Sequence, residues 1–300
     1  MAYIQNESFF PVPEHLRTFF DGAAEIPCVT VGGCGSFSAA KTFDCGQAFR
    51  FDPVNGTTFA GTAFGCRIAV EQTVPGTIHL YNVSREQFEL RWRHYLALDE
   101  DYDAIDRFLI DAMPNEHDRT VMTAAVEAGR GIRILRQDPF ETLISFIVSQ
   151  NNNIPRIKKI IRALCDAYGE NDGFPTAEAL ADAGVDNLFA LRTGFRAKYI
   201  HDAACRVASG EINLDEILSC DDYNVCDAAL RTIRGVGPKV SACVLLYGFG
   251  KTEAFPVDVW IKKSLERHFP DGFDVKSLGK YAGIAQQYLF YYERYNHGEP

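Results

Sequence analysis

The hydrophobic period of this chain changes near residue 115, and that change limits the fold more than any other feature of the sequence. Before it, apolar residues come in short alternating runs, "TFDCGQAFRFD", "TTFAGTAFGCRIAVEQT" and "GTIHLYNV", rich in Thr, Val, Phe and Ile and broken by Gly and Pro-Gly. Alternation sends successive side chains to opposite faces of a pleated strand, so these runs predict an antiparallel sheet. "REQFELRWRHYLAL" and "DYDAIDRFLIDAM" read as helices that close this part, the second with an acidic first turn. After the change the period is helical. "TVMTAAVEAGRG" stops at glycine, and "DPFETLISFIVSQNN" opens with Asp138 as N-cap and Pro139 at the first helical position. "IPRIKKIIRALCDAYG" ends at Gly169, and helical runs continue to the aromatic "KSLGKYAGIAQQYLFYYERYN". The expected class is α+β: a small antiparallel β-rich N-terminal domain over 1–115, then an all-α domain over 116–300. No internal repeat and no long linker is visible.

A chain of 300 residues has room for two such cores. No run of eighteen apolar residues occurs, so no membrane span is expected. "MAYIQNESFF" lacks the basic start and apolar stretch of a secretory signal, which makes the cytoplasm the expected location, with the nucleoid in a bacterial cell. The nine cysteines are scattered and form no C-x-x-C pair. They are expected to be reduced, several of them in the core, and they lack the close four-cysteine run of an iron–sulfur cluster. The net charge of −10 argues against nucleic acid as a partner when taken alone. Positive charge is nevertheless concentrated in "PRIKKIIRAL", "LRTGFRAKYIH" and "WIKKSLERH", which leaves room for an acidic body with a basic face.

The helical pattern is interrupted once in a distinctive way, at "LRTIRGVGPKVSACVLL". Leu230 and Ile233 mark the apolar side of one helix, and Val240, Cys243 and Val244 that of the next. Between them Gly235 and Gly237 can take positive φ without a Cβ penalty, so the reversal can be tight. Pro238 suits the first turn of the second helix. Two readings follow from spacing alone: a glycine-capped αα-hairpin, or a hairpin whose free N–H groups bind a phosphate oxygen. Lys239 favours the second. It stands at a helix start, where the dipole disfavours an ammonium, and burial would disfavour the charge further. A lysine that releases its proton is a nucleophile able to form a Schiff base.

These residues carry a family resemblance. "NNNIPRI", "GFRAKYI", "GVGPKVSAC", "FPVDVW" and "YAGIAQQYLF" occur in the order found in the helix-hairpin-helix DNA glycosylases, and the chain most closely resembles 8-oxoguanine DNA glycosylase/AP lyase over roughly 43–295. The resemblance implies a TATA-binding-protein-like β domain ahead of the helical domain. It also implies a bifunctional DNA repair enzyme that flips out 8-oxoguanine opposite cytosine, excises it and cleaves the strand by β-elimination. The expected partner is double-stranded DNA holding that lesion, bound by a monomer. No cofactor is expected, with a monovalent cation at the hairpin left open.

On this resemblance Lys239 is the nucleophile and Asp258 the carboxylate that stabilises oxocarbenium charge; as a bare sequence feature Asp258 is also an N-cap for "VWIKKSLERH". Asn151 would fill the gap left by the flipped base. Arg156 and Arg196 would offer donors to the orphaned cytosine, whose N3 and O2 are acceptors. Phe195, where tyrosine is common, would wedge into the stack. Gly235 and Gly237 belong to the DNA-binding hairpin. The carbonyl of Gly46 would read the N7–H that oxidation creates, Phe290 and Cys243 would stack on the base, and Gln286 and the Pro256 carbonyl would bond it. Trp260 stands where many members carry a phosphate-contacting histidine, which resembles the bacterial branch more than the animal one. Two other classes compete: a monofunctional alkyl-purine glycosylase, and a non-catalytic helix-hairpin-helix module. Neither accounts for Lys239.

Overall fold

Six strands form one antiparallel sheet in the order β1-β2-β6-β5-β4-β3: β1 (Tyr3–Pro11), β2 (Glu25–Gly32), β3 (Phe51–Pro53), β4 (Thr58–Ala63), β5 (Cys66–Val74) and β6 (Thr77–Tyr81). The computed structural model describes residues 1–296. Period-two alternation sorts neighbours to opposite faces. Val29, Ile68, Val70 and Leu80 join one apolar cluster with Phe43, Phe51, Phe88 and Trp92, whereas Cys28, Ala69 and Tyr81 join a second with Leu16 and Phe20. The sheet is therefore covered on both sides, and each fully buried Val, Leu, Ile or Phe contributes about 1.5–3 kcal/mol.

Sequence reading found β4, β5 and β6. It read 42–52 as a glycine-broken alternating run of the sheet, and this is corrected. Ser38 caps a short helix, α1 (Ala39–Asp44), by accepting from the Lys41 N–H, and only Phe51–Pro53 pairs, on β4. β1 and β2 gave no strand signal. β1 is an edge strand with most of its side chains exposed, so nothing selects for alternation there.

The helices are α2 (85–95), α3 (Tyr102–Asp111), α4 (Glu116–Gly129), α5 (Pro139–Ser149), α6 (Ile154–Tyr168), α7 (Ala177–Leu188), α8 (Ala197–Ala208), α9 (Leu214–Ser219), α10 (Tyr223–Leu230), α11 (Pro238–Tyr247), α12 (Val259–His268) and α13 (Ala282–Asn296). Their starts follow capping chemistry. Asp138 accepts from the Glu141 N–H at 2.8 Å with Pro139 in the first turn, as the sequence predicts. Asp101 and Asn153 do the same for α3 and α6.

The chain divides into two compact units, one holding 1–136 and the chain from 287 onward, the other 137–286. The expected boundary at 115/116 differs from this division. α4 stays with the sheet because Gly129 lies against Tyr288 of α13: a Cβ there would come within 2.4 Å of the ring. In the second unit α5 and α11 are apolar nearly all round, with Leu143–Val148 and Val240–Tyr247 buried without a break. Such helices are central rather than peripheral. They meet at Phe146 and Tyr247, whose rings stack 5.3 Å apart.

One buried titrating group in the first unit gives a test. The Tyr288 hydroxyl donates to Asp106 Oδ1 at 2.9 Å, and Asp106 Oδ2 has no partner. Burial raises the Asp106 carboxyl, with the Tyr288 bond and nearby Arg130 opposing. An unfolded aspartate ionises at about 3.9, so between there and the higher folded value the unfolded chain binds fewer protons and stability falls as pH rises. Asp106→Asn lacks this loss. Thermal unfolding between pH 4 and pH 7.5 should show the wild type losing stability relative to Asp106→Asn as pH rises; a constant difference would refute the assignment.

Candidate active site on the glycine hairpin

α10 ends at Leu230, and the chain turns back through 231–237 into α11. Gly235 has φ +82 and faces Tyr199 of α8 so closely that a Cβ would sit 2.4 Å from two ring carbons. No other residue meets both conditions. Gly237 does something different from what the sequence suggests. Its φ is −93, an extended conformation open to any residue, and a Cβ there would meet nothing within 4 Å. It leaves open space beside the first turn of α11, which has no side-chain cap. The first-turn N–H groups of an uncapped helix lack intrahelical acceptors and favour an anion. The hairpin is tied to α8 at a second point, where the Arg234 N–H donates to Asp202 at 2.8 Å.

Lys239 stands half-buried at this start. Its Nζ donates to Ser149 Oγ at 3.4 Å and lies 5.3 Å from the centre of the Phe146 ring. One turn on, Cys243 is 4% exposed. Burial raises its thiol; the Lys239 charge opposes that rise and the Asp258 carboxylate adds to it. Two residues singled out from the sequence thus act on a third. Asp258 is the N-cap of α12, its Oδ1 accepting from the Trp260 and Ile261 N–H groups at 3.0 and 2.9 Å. The capping reading is therefore correct, and it leaves Oδ2 outside the cap. Pro256 is buried just ahead. Gln286 is 4% exposed and its Oε1 has no partner. A buried acceptor left unmade costs about 1–3 kcal/mol, so it is poised for a donor.

The "NNN" turn follows α5. Asn151 is exposed with φ +47, and its carbonyl accepts from Arg196 Nη2 at 2.9 Å. Arg196 departs from expectation. It is 2% exposed, Nε donates to the Gln150 carbonyl at 2.9 Å and Nη1 to the Thr193 carbonyl at 3.2 Å. It holds the turn with most of its donors. Burial, and then the charge of nearby Arg156, lower its pKa. Arg156 is exposed in the first turn of α6. Phe195 is 52% exposed and packs edge-on against Tyr199 at 5.9 Å, so the ring beneath Gly235 also supports this side chain. Lys263 lies 4.8 Å over the half-buried Trp260 ring and puts a cation where the aromatic side chain supplies none.

The other two base-contacting candidates belong to the first unit. Gly46 is half-buried with φ +81, and the Phe290 ring is half-buried with the Arg294 guanidinium 5.8 Å from its centre. Cys243, Pro256 and Gln286 belong to the second.

The model of the 8-oxoguanine DNA glycosylase N-terminal domain matches 34–143, and that of the HhH-GPD superfamily base excision DNA repair proteins matches 144–274. A probable N-glycosylase/DNA lyase of Methanothermobacter thermautotrophicus is 31% identical over 210 residues, 58% of this chain and 67% of that protein. The N-glycosylase/DNA lyase of Saccharomyces cerevisiae is 38% identical over 159 residues, 47% of this chain; the chain spans only 42% of its length. The 8-oxoguanine glycosylase/lyase of Clostridium acetobutylicum, solved with double-stranded DNA containing cytosine opposite 8-oxoguanine, is 37% identical with a TM-score of 0.80, covering 90% of this chain and 96% of that one. This chain belongs to the 8-oxoguanine DNA glycosylase family.

Sequence reasoning on this glycosylase missed Ser149, Phe146 and Tyr199. Ser149 and Phe146 sit on an apolar helix far from Lys239 in sequence, and nothing local marks them. Tyr199 lies inside "GFRAKYI", where its ring looks like ordinary packing. Its role gives a test. Gly235→Ala forces positive φ on a residue with a Cβ and drives that Cβ into Tyr199, a loss of about 2–4 kcal/mol. Unfolding temperature should drop, and affinity for duplex DNA should fall about tenfold through the disturbed hairpin. Unchanged binding in a folded variant would detach the hairpin from DNA.

Proposed function

We propose that this protein is a bifunctional repair glycosylase that excises 8-oxoguanine opposite cytosine and then cleaves the DNA strand at the resulting site. The observation that carries the proposal is Lys239: an amine at the uncapped start of a buried helix, on a glycine hairpin, one turn from a Cys243 thiol that feels both its charge and that of Asp258. The first-turn N–H groups hold a phosphate of the flipped nucleotide. Neutral Nζ attacks C1′ as the C1′–N9 bond breaks, and the base leaves with the bonding pair and is then protonated. Asp258, held rigid by its capping bonds, stabilises the oxocarbenium charge at no reorganisation cost. Loss of the amine proton and ring opening give an imine. Removal of a C2′ proton expels the 3′ phosphate, and water then releases Lys239.

Asn151 fills the gap in the stack, Arg156 addresses the orphaned cytosine, and Arg196 fixes the turn that carries Asn151. Gly46 reads N7–H through its carbonyl. The chemistry needs no cofactor, because the nucleophile and the electron sink come from Lys239, and one monomer carries every residue it uses. A binding module has no use for a half-buried amine at the start of such a helix. An alkyl-purine enzyme would leave an 8-oxoguanine·cytosine duplex intact.

Borohydride reduction of the reaction with an 8-oxoguanine·cytosine duplex should trap the wild type covalently. Lys239→Gln should lose trapping by at least about a thousandfold while keeping lesion affinity within a few-fold. Strand cleavage at wild-type rate by that variant would refute the proposal. Asp258→Asn keeps a good N-cap, so stability should stay within about 0.5 kcal/mol. Its excision should slow about a hundredfold. Loss of stability in step with loss of rate would reduce Asp258 to a capping residue.

A further inference from the structure

Gly46 sits between two residues that the fold clamps from different sides. On the near side, the Gln287 Nε2 of α13 donates to the Cys45 carbonyl at 3.1 Å in a buried position, Gln287 being 1% exposed. The Tyr295 hydroxyl, two turns further along α13, donates to the Asp44 carbonyl at 2.7 Å. Burial and the Asp44 charge push this hydroxyl up to about 12, so it remains a donor. Tyr291 lies between them on the same stripe, stacked on Tyr295 at 4.4 Å with Lys41 Nζ 5.7 Å over its ring. On the far side, Gln47 is 1% exposed. Its Nε2 donates to the Thr42 and Arg133 carbonyls at 3.0 and 2.7 Å, and its Oε1 accepts from the Leu135 N–H at 2.9 Å.

The geometry matters because glycine has the least constrained backbone of any residue. The peptide plane entering Gly46 contains the Cys45 carbonyl, and each residue has only two soft dihedrals. Fixing that plane from α13 and anchoring Gln47 leaves Gly46 one orientation. Telling 8-oxoguanine from guanine by one carbonyl needs such an orientation, since the lesion offers N7–H where guanine offers an N7 lone pair. A carbonyl free to swing away would avoid the repulsion with guanine and lose the discrimination.

We infer that Gln287, supported by Tyr295, is a positioning residue for lesion selection: its amide fixes the peptide plane that enters Gly46 from the same helix that carries Phe290. The inference rests on the base-reading role proposed above for Gly46. It assigns selectivity to two side chains that never touch the base.

The test uses the full-length protein and separates base reading from strand chemistry. Single-turnover excision is measured on 8-oxoguanine·cytosine duplex, binding on that duplex and on guanine·cytosine duplex, and borohydride trapping on a preformed abasic site opposite cytosine. Gln287→Leu keeps the volume and removes the donor. It should slow excision about tenfold, the value of one buried hydrogen bond, and narrow the binding preference for the lesion about fivefold. Trapping at the abasic site should stay within about twofold, because no base remains to be read. Tyr295→Phe, at a more exposed position, should move both quantities the same way by about threefold and serves if Gln287→Leu folds poorly. Unchanged excision and preference in both variants would overturn the inference, and so would a parallel loss of abasic-site trapping, the mark of a merely structural role. A wild type inert on both the lesion and the abasic site would overturn the proposed function itself, a result separable from either.

Discussion

The second unit depends on one steric constraint: Gly235 pressed against the ring of Tyr199. α11 is buried from Val240 to Tyr247, so it cannot carry a charged group along its length. Only its first turn reaches solvent, and the path into that turn is set by a residue at φ +82 with no room for a Cβ. The same ring supports the exposed Phe195. One close approach therefore sets the direction of the uncapped N–H groups, the depth at which Lys239 leaves the core, and the footing of Phe195. Replacing the contact with a looser loop would keep the helix and lose the relation among its parts.

An acidic protein that handles DNA needs its positive groups placed, not numerous. With a net charge of −10, the surface as a whole repels phosphate. At physiological ionic strength fields are screened over about 8 Å, so a local cluster decides the contact. Arg196 illustrates how such a cluster is stabilised. Its charge is buried close to Arg156, an unfavourable pairing, and backbone carbonyls at Gln150, Asn151 and Thr193 absorb it. The result is a rigid turn with one exposed guanidinium at its edge and an exposed asparagine at its apex.

The fold class was legible because the hydrophobic period itself changes from two to 3.6, and caps such as Asp138 are written in local chemistry. What was illegible lay in long-range contacts. β1 shows almost no alternation because one edge strand buries little. Residues 42–44 form a helix under the control of Ser38 although their side chains suit a strand. α13 was recognised as an aromatic helix, but no local feature says that from residue 287 it belongs with the sheet; that follows from Tyr288 meeting Asp106 and Gly129. In the candidate site most of the residues discussed could be named from the sequence, since loops and helix starts concentrate special residue types. Their allegiances were not. Arg196 reads as a surface donor and is a buried brace, and the amine's nearest partner, Ser149, belongs to a helix ninety residues earlier.

The thiol beside the amine bears on the nucleophilic role proposed for Lys239. Burial raises Cys243, so near neutral pH it is a protonated thiol and not a thiolate. A thiolate one turn from Lys239 would hold the ammonium as an ion pair and keep it charged. A neutral thiol offers a weak hydrogen bond and no such trap. The Phe146 face acts in a compatible way: it tolerates a cation at 5.3 Å yet gives it little of the solvation that water or a carboxylate would. Ser149 can donate to a neutral amine or accept from an ammonium, so it serves either protonation state. The groups closest to Lys239 thus hold its amine through weak contacts, while Asp258, bound into its cap, keeps its geometry. In the proposed mechanism that division, a loosely held amine on one side and a fixed carboxylate on the other, suits nucleophilic attack at a carbon developing positive charge.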